Sequence, residues 1–205
     1  MVLKFFPNIK NLNKGITLIE LVVVIFIIAL FSLIVISDFP KIQKQYALSS
    51  VTYKLAQDLR RTQDLSLSGV SINDANGNAI KIKGYGIYIP SVPTTQYIIY
   101  ADVNNSQTYD SDQYLYCASP QYAETNKTAD CIIDIIDVAK QNSSLHISEI
   151  DNINSNYTSI NFSPPGPTTT IDKIILDKSP ITISLSNGLT TRTVQVNTSG
   201  LINVQ

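Results

Sequence analysis

Apolar positions along this chain change their spacing twice, and each change marks a boundary. From Ile16 to Ser37 the run is apolar on every side, and its only charge is Glu20. At 1.5 Å rise per residue a helix over this stretch extends about 33 Å, enough to cross a hydrocarbon layer of about 30 Å. Beyond Pro40 the pattern becomes amphipathic. Leu48, Val51, Leu55 and Leu59 recur at steps of three and four, with Lys44, Lys54, Gln57, Asp58 and Arg61 between them. One helix from near Ile16 to Ser68 is predicted, stopped by Gly69. Asp38 and Pro40 predict a kink rather than a break, since proline removes one backbone bond and crowds the preceding turn.

After Gly69 short β-branched and aromatic runs alternate with turn residues. Val70–Ile72 and Ala79–Ile82 flank a turn at Asn76-Gly77, and Tyr85–Ile89 and Tyr97–Tyr100 are bounded by Gly84, Pro90 and Pro93. Cys131–Ile136, Ser159–Phe162, Thr170–Leu176, Ile181–Leu185, Thr193–Val196 and Leu201–Val204 follow, with turns at Pro164-Pro165-Gly166-Pro167, Asn187-Gly188 and Ser199-Gly200. The fold class is therefore α+β: a long N-terminal helix, transmembrane in its first half and amphipathic in its second, packed on a C-terminal antiparallel β-rich head. The predicted divisions are a leader over 1–15, a spanning helix over 16–37, its amphipathic continuation over 38–69 and the head over 70–205. Residues 104–128 lack periodicity and read as an irregular insertion.

Charge sharpens the first boundary. Lys4, Lys10 and Lys14 all precede the apolar run, which predicts a cytoplasmic N-terminus and an extracytoplasmic head. Without those three lysines the formal net charge falls from −1 to −4, so nothing draws the remainder to nucleic acid. A secretory signal cut near Ser37 is the competing reading. The length of the run from Leu21 to Ile36 opposes it, and so does Glu20, which has no role there. A carboxylate inside an apolar helix costs roughly 2.5–3.5 kcal/mol near the centre and less near an end, so its presence asks for a use.

Candidate chemistry in the head is sparse. Cys117 and Cys131 have no Cys-x-x-Cys pair or histidine cluster around them; an extracytoplasmic site favours a disulfide over two free thiols. Asp102, Asn104, Ser106, Asp110 and Asp112 place side-chain oxygens at positions 1, 3, 5, 9 and 11 of a loop, a spacing that suits hard Ca²⁺. The glycine and bidentate glutamate usual at positions 6 and 12 are Gln107 and Gln113, and a solvated turn is the competing reading. The only histidine, His146, reads as a strand residue, and no Gly-x-Ser-x-Gly elbow is present, so no catalytic residue is assigned and the chain is not read as an enzyme. Tyr85, Tyr88, Tyr97 and Tyr100 read as sheet packing rather than a sugar platform.

Gly15-Ile16-Thr17-Leu18-Ile19-Glu20-Leu21, preceded by a basic leader and followed by the span, resembles the signal of type IV prepilins and type II secretion pseudopilins. Leu55–Gly69 is similar to the helix end of H-type minor pseudopilins and related minor pilins, and Phe162-Ser163-Pro164-Pro165-Gly166 and Val194–Ile202 look like elements of their C-terminal part. The family usually has Phe after the scissile glycine, where this chain has Ile16. The resemblance implies that a prepilin peptidase cuts between Gly15 and Ile16 and methylates the new amine. Glu20 then pairs with the N-terminal amine of a neighbouring subunit. The implied partners are other pilin or pseudopilin subunits, the peptidase, a membrane assembly platform, and the bilayer before assembly. The implied function is a minor pilin or pseudopilin, first a single-pass inner-membrane protein and then part of a filament. The alternative is a membrane-tethered binding module for glycan, calcium or DNA that never polymerises.

Overall fold

In the computed structural model, residues 15–110, 114–124, 129–164, 166 and 168–205 are described. The leader lysines, Asp112, Pro165 and Pro167 lie outside them, as does Thr125–Thr128 of the insertion. Helix α1 runs from Leu18 to Ser68 and passes through Pro40. The chain divides into two compact units, one ending at Ile42 and one spanning Gln43–Gln205.

In the first unit, Ser32 is the polar side chain in the middle of the apolar run, and its hydroxyl donates to the Ile28 carbonyl at 2.8 Å. That bond satisfies the hydroxyl within the helix.

The second unit begins with the amphipathic half of α1. Its strands are β1 (Ile72–Asn73), β2 (Ala79–Ile80), β3 (Gly84–Ile89), β4 (Gln96–Asp102), β5 (Cys131–Asp137), β6 (His146–Asp151), β7 (Thr158–Ser163), β8 (Thr168–Ile171), β9 (Ile181–Ser186), β10 (Thr191–Val196) and β11 (Ile202–Val204). They form a hairpin β1-β2, a five-stranded sheet β5-β4-β3-β7-β8 and a four-stranded sheet β11-β10-β9-β6, antiparallel throughout. The predicted α+β class holds.

One core joins the three parts. Leu48, Val51, Leu55 and Leu59 of α1 pack in a single buried cluster with Ile87, Ile89, Ile160 and Phe162 of one sheet and with Ile183, Leu185, Val194 and Val196 of the other. The stripe at steps of three and four is thus the buried face of the helix. Polar groups on that face are all paired: Thr52 donates to the Leu48 carbonyl, Thr62 to that of Leu59, and Ser66 to that of Phe162. The end of the chain returns to the helix. Arg60 donates to the Ile202 carbonyl at 3.3 Å, Gln63 to that of Gly200 at 3.3 Å, and the Asn187 amide to that of Lys44 at 3.1 Å.

Three expectations need correction. The strand predicted over Thr170–Leu176 stops at Ile171, two residues before Lys173 adopts a positive φ and turns the chain. The predicted insertion is not wholly irregular. It contains helix α2 (Pro120–Glu124), and Tyr116 bridges to Ile132 beside β5. Strand β6 was not expected as a strand, although His146, its first residue, was read as a strand residue.

Candidate functional site

Helix α1 owes its starting point to Thr17. The Thr17 carbonyl accepts the first helical bond from Leu21 at 3.2 Å, and its hydroxyl oxygen accepts from the Glu20 N–H at 3.3 Å. Thr-x-x-Glu is capping-box spacing, in which the side chain before the helix satisfies a first-turn amide that has no helical partner. Gly15 and Ile16 are thereby left ahead of the helix in exposed, irregular backbone.

Glu20 lies in the first turn, at the positive end of the helix dipole, with its side chain exposed. Among the described residues no basic group pairs with it. Around and beyond it the large apolar side chains are uncovered, from 46 % exposed at Ile27 to 82 % at Leu18. The most apolar 18-residue window of α1 has a mean hydropathy of 3.2, and none of it is buried. By length and composition this helix is long and apolar enough to cross a membrane.

A family model described as the prokaryotic N-terminal methylation motif matches residues 10–36. The chain carries a type IV prepilin-like signal. No curated protein and no solved structure matches the chain. The signal places Gly15, Ile16 and Glu20 inside the matched segment. Among the described residues α1 is the single helix long and apolar enough to cross a membrane, and the matched signal overlaps its start.

In the head, Cys117 and Cys131 are joined in a disulfide, with Cα atoms 4.9 Å apart. It fastens the segment before α2 to the first residue of β5. Hydrogen bonds between Cys117 and Ile132 and between Ile132 and Leu115, at 2.9 and 2.8 Å, reinforce the same join.

The oxygen-rich loop after β4 is held by its own hydrogen bonds. Both carboxylate oxygens of buried Asp102 accept backbone N–H groups, from Asn105 at 2.7 Å and Gln107 at 3.0 Å. Asn104 pairs with Asp110 at 2.7 Å, and the Ser106 hydroxyl donates to the Thr108 carbonyl at 2.7 Å. Among the described residues no group of three His, Cys, Asp or Glu side chains is arranged to hold a metal ion. Burial raises the Asp102 carboxyl above the usual range, against the pull of the two amides.

Two features escaped the sequence reading. Asp130 is fully buried beside this loop, accepting from Val103 and Asp110 amides, and burial with the charges of Asp110 and Asp102 pushes it up to about 8. The Tyr97 hydroxyl, read only as sheet packing, donates to Asp58 of α1 at 2.6 Å. Neither sits in a local motif, since each depends on partners far along the chain. Of the other tyrosines weighed, Tyr85 and Tyr100 are buried in the sheet, whereas Tyr88 is only partly covered. His146 stands at the start of β6 with its Nδ1 3.1 Å from the Ser144 carbonyl.

Proposed function

We propose that this protein is a minor pilin or pseudopilin: a structural subunit cut between Gly15 and Ile16, methylated on Ile16, and packed into a filament through its N-terminal helix. The observation that carries the reading is the placement of Glu20. It is the one carboxylate in the uncovered apolar run from Ile16 to Ser37, five residues after a glycine that lies in exposed, irregular backbone.

The physical logic is charge matching. A carboxylate in apolar surroundings is tolerable when a cation meets it, and leaving either partner alone is strongly penalised. Cleavage after Gly15 creates that cation, the amine of Ile16. Glu20 of one subunit then accepts the amine of the next, which sets the axial register of packed helices. The long stretch without periodicity at 104–128 favours a minor rather than a repeating major subunit.

Mass spectrometry of the mature protein tests the cut: the expected N-terminus is methylated Ile16, and a retained Met1 or a start after Ser37 defeats the reading. Glu20→Ala tests assembly. Membrane insertion is expected to persist while incorporation into filaments is lost; unchanged function in this variant means a tethered module that does not polymerise.

A further inference from the structure

Asn-Gly occurs twice in this chain, and the fold treats the two copies differently. Asn76-Gly77 lies in the turn between β1 and β2, and Asn187-Gly188 in the turn between β9 and β10. Both glycines have positive φ, and a Cβ at either would meet open space. Their amides are restrained alike: Gly77 N–H donates to the Asp74 carbonyl at 3.0 Å, and Gly188 N–H to the Ser186 hydroxyl at 3.0 Å.

The asparagine side chains are not alike. Asn187 is 1 % exposed. Its Oδ1 accepts from the Leu189 and Thr190 amides, both at 2.9 Å, and its Nδ2 donates to the Lys44 carbonyl at 3.1 Å. Asn76 is exposed, like the whole stretch from Ala75 to Ala79. Its backbone N–H reaches Asp74 Oδ1 at 2.9 Å, whereas its side chain makes no hydrogen bond among the described residues. A carboxamide followed by glycine is a reactive pair, because glycine has no Cβ to keep its nitrogen from closing a five-membered ring on the preceding Cγ.

We propose that Asn76 is a self-modification site, converted without an enzyme to aspartate and isoaspartate, while the fold spares Asn187. Hydroxide takes the proton of the Gly77 amide, and the nitrogen attacks Asn76 Cγ. The N–Cγ bond forms, the Cγ–Nδ2 bond breaks, and Nδ2 leaves as ammonia with a proton from water. Water then opens the ring at either carbonyl; nothing is oxidised or reduced. Both glycine amides must first be released, so the side chains decide the rates. Asn76 turns toward its neighbour without losing a bond, whereas Asn187 must give up three in a site closed to water.

The modification bears on the hairpin. Asp74, 5 % exposed, fastens the turn by accepting the Asn76 and Asn78 amides on one oxygen, at 2.9 and 2.8 Å. Strands β1 and β2 share two residue pairs, Ile72 with Ile80 and Asn73 with Ala79. Isoaspartate lengthens the main chain between those two amides by a methylene and adds a carboxylate two residues from Asp74. The amides then no longer converge on one oxygen, and Ile72 and Ile80 lose the turn that holds them together against Tyr85 and the disulfide.

The test incubates the full chain, folded in detergent, at mildly alkaline pH and follows both asparagines by tandem mass spectrometry that separates aspartate from isoaspartate. Asn76 is expected to convert about ten-fold faster than Asn187 or more, the ratio set by the bonds Asn187 must break, with isoaspartate among the products. In guanidinium chloride, where the fold no longer protects, the two rates should agree within about two-fold. Hydrogen exchange of the isoaspartate-bearing fraction should quicken at Ile72 and Ile80, with α1 still protected. Asn76→Gln should abolish the mass change in that peptide. Equal rates in the folded chain, an Asn76 that converts only in denaturant, or a mass change that persists in Asn76→Gln overturns the site. Unchanged exchange at Ile72 and Ile80 after conversion overturns its effect on the hairpin.

Discussion

The hydroxyl of Tyr97 donates to the carboxylate of Asp58 at 2.6 Å, and both side chains are buried between α1 and the five-stranded sheet. Lys54, one helical turn earlier, reaches the same Asp58 oxygen at 3.0 Å from a half-exposed position. The helix is therefore fixed to β4 by a directional contact within an otherwise apolar interface. Tyr97→Phe leaves the Asp58 carboxylate buried with one partner fewer. A loss of about 1–3 kcal/mol in unfolding free energy is expected, read from urea titration of the full chain.

Gly86 should tolerate no side chain. A Cβ built there lies 2.6 Å from the ring of Tyr100, which is itself fully buried and bonded to Asn161. Gly86→Ala must displace that ring, with an expected cost of about 1–3 kcal/mol from overpacking. A drop in the thermal midpoint checks this, and Gly77→Ala is no control, because its φ of +80° adds backbone strain of its own.

Alkaline titration separates buried from exposed phenols. Burial pushes Tyr85 and Tyr122 up to about 12 and drives Tyr97 and Tyr100 higher still. The folded state thus holds these four protonated above the unfolded value of about 10. Their contribution to stability is fully present below that value and is lost as pH rises through it toward the folded values. Phenolate absorbance in the folded protein should show these four of the eleven tyrosines silent at pH ~11. Unfolding on further alkalinisation should release them together.

Reduction of the Cys117–Cys131 bond opens a loop spanning 14 positions. Chain-entropy reasoning gives about 3 kcal/mol for a loop of this size. Cys117→Ala with Cys131→Ala should lower stability by that order. Hydrogen exchange should show the loss at Leu115–Cys117 and the start of β5, with α1 left protected.

Thr17→Ala removes the side-chain acceptor for the Glu20 amide and should fray the start of α1, at about 0.5–2 kcal/mol. Thr17→Ser should restore it. Faster amide exchange at Glu20 in the alanine variant is the readout.

The helix was legible because one pattern is local: Leu48, Val51, Leu55 and Leu59 state their shared face without reference to anything else in the chain. The signal at Gly15–Glu20 was legible for the same reason, since spacing and charge lie within six residues. Strand β6 was not. A bulge between Ile147 and Glu149 puts Ile147 and Ile150 on the buried side three residues apart, so the two-residue alternation that marks a strand is absent. The stacking of Tyr88 on Tyr109 was invisible for a different reason. Tyr88, Tyr109 and Tyr157 are neighbours only after β3 and β7 pair and the loop beyond β4 folds across them.

The contacts of Arg60 with Ile202, Gln63 with Gly200 and Lys44 with Asn187 each join residues about 140 positions apart. The amphipathic half of α1 is synthesised early, yet part of the surface that covers it follows about 140 residues later. Loss of β10 and β11 should therefore leave the helix covered by Ile87, Ile89, Ile160 and Phe162 but bare where Val194, Val196 and Ile202 pack.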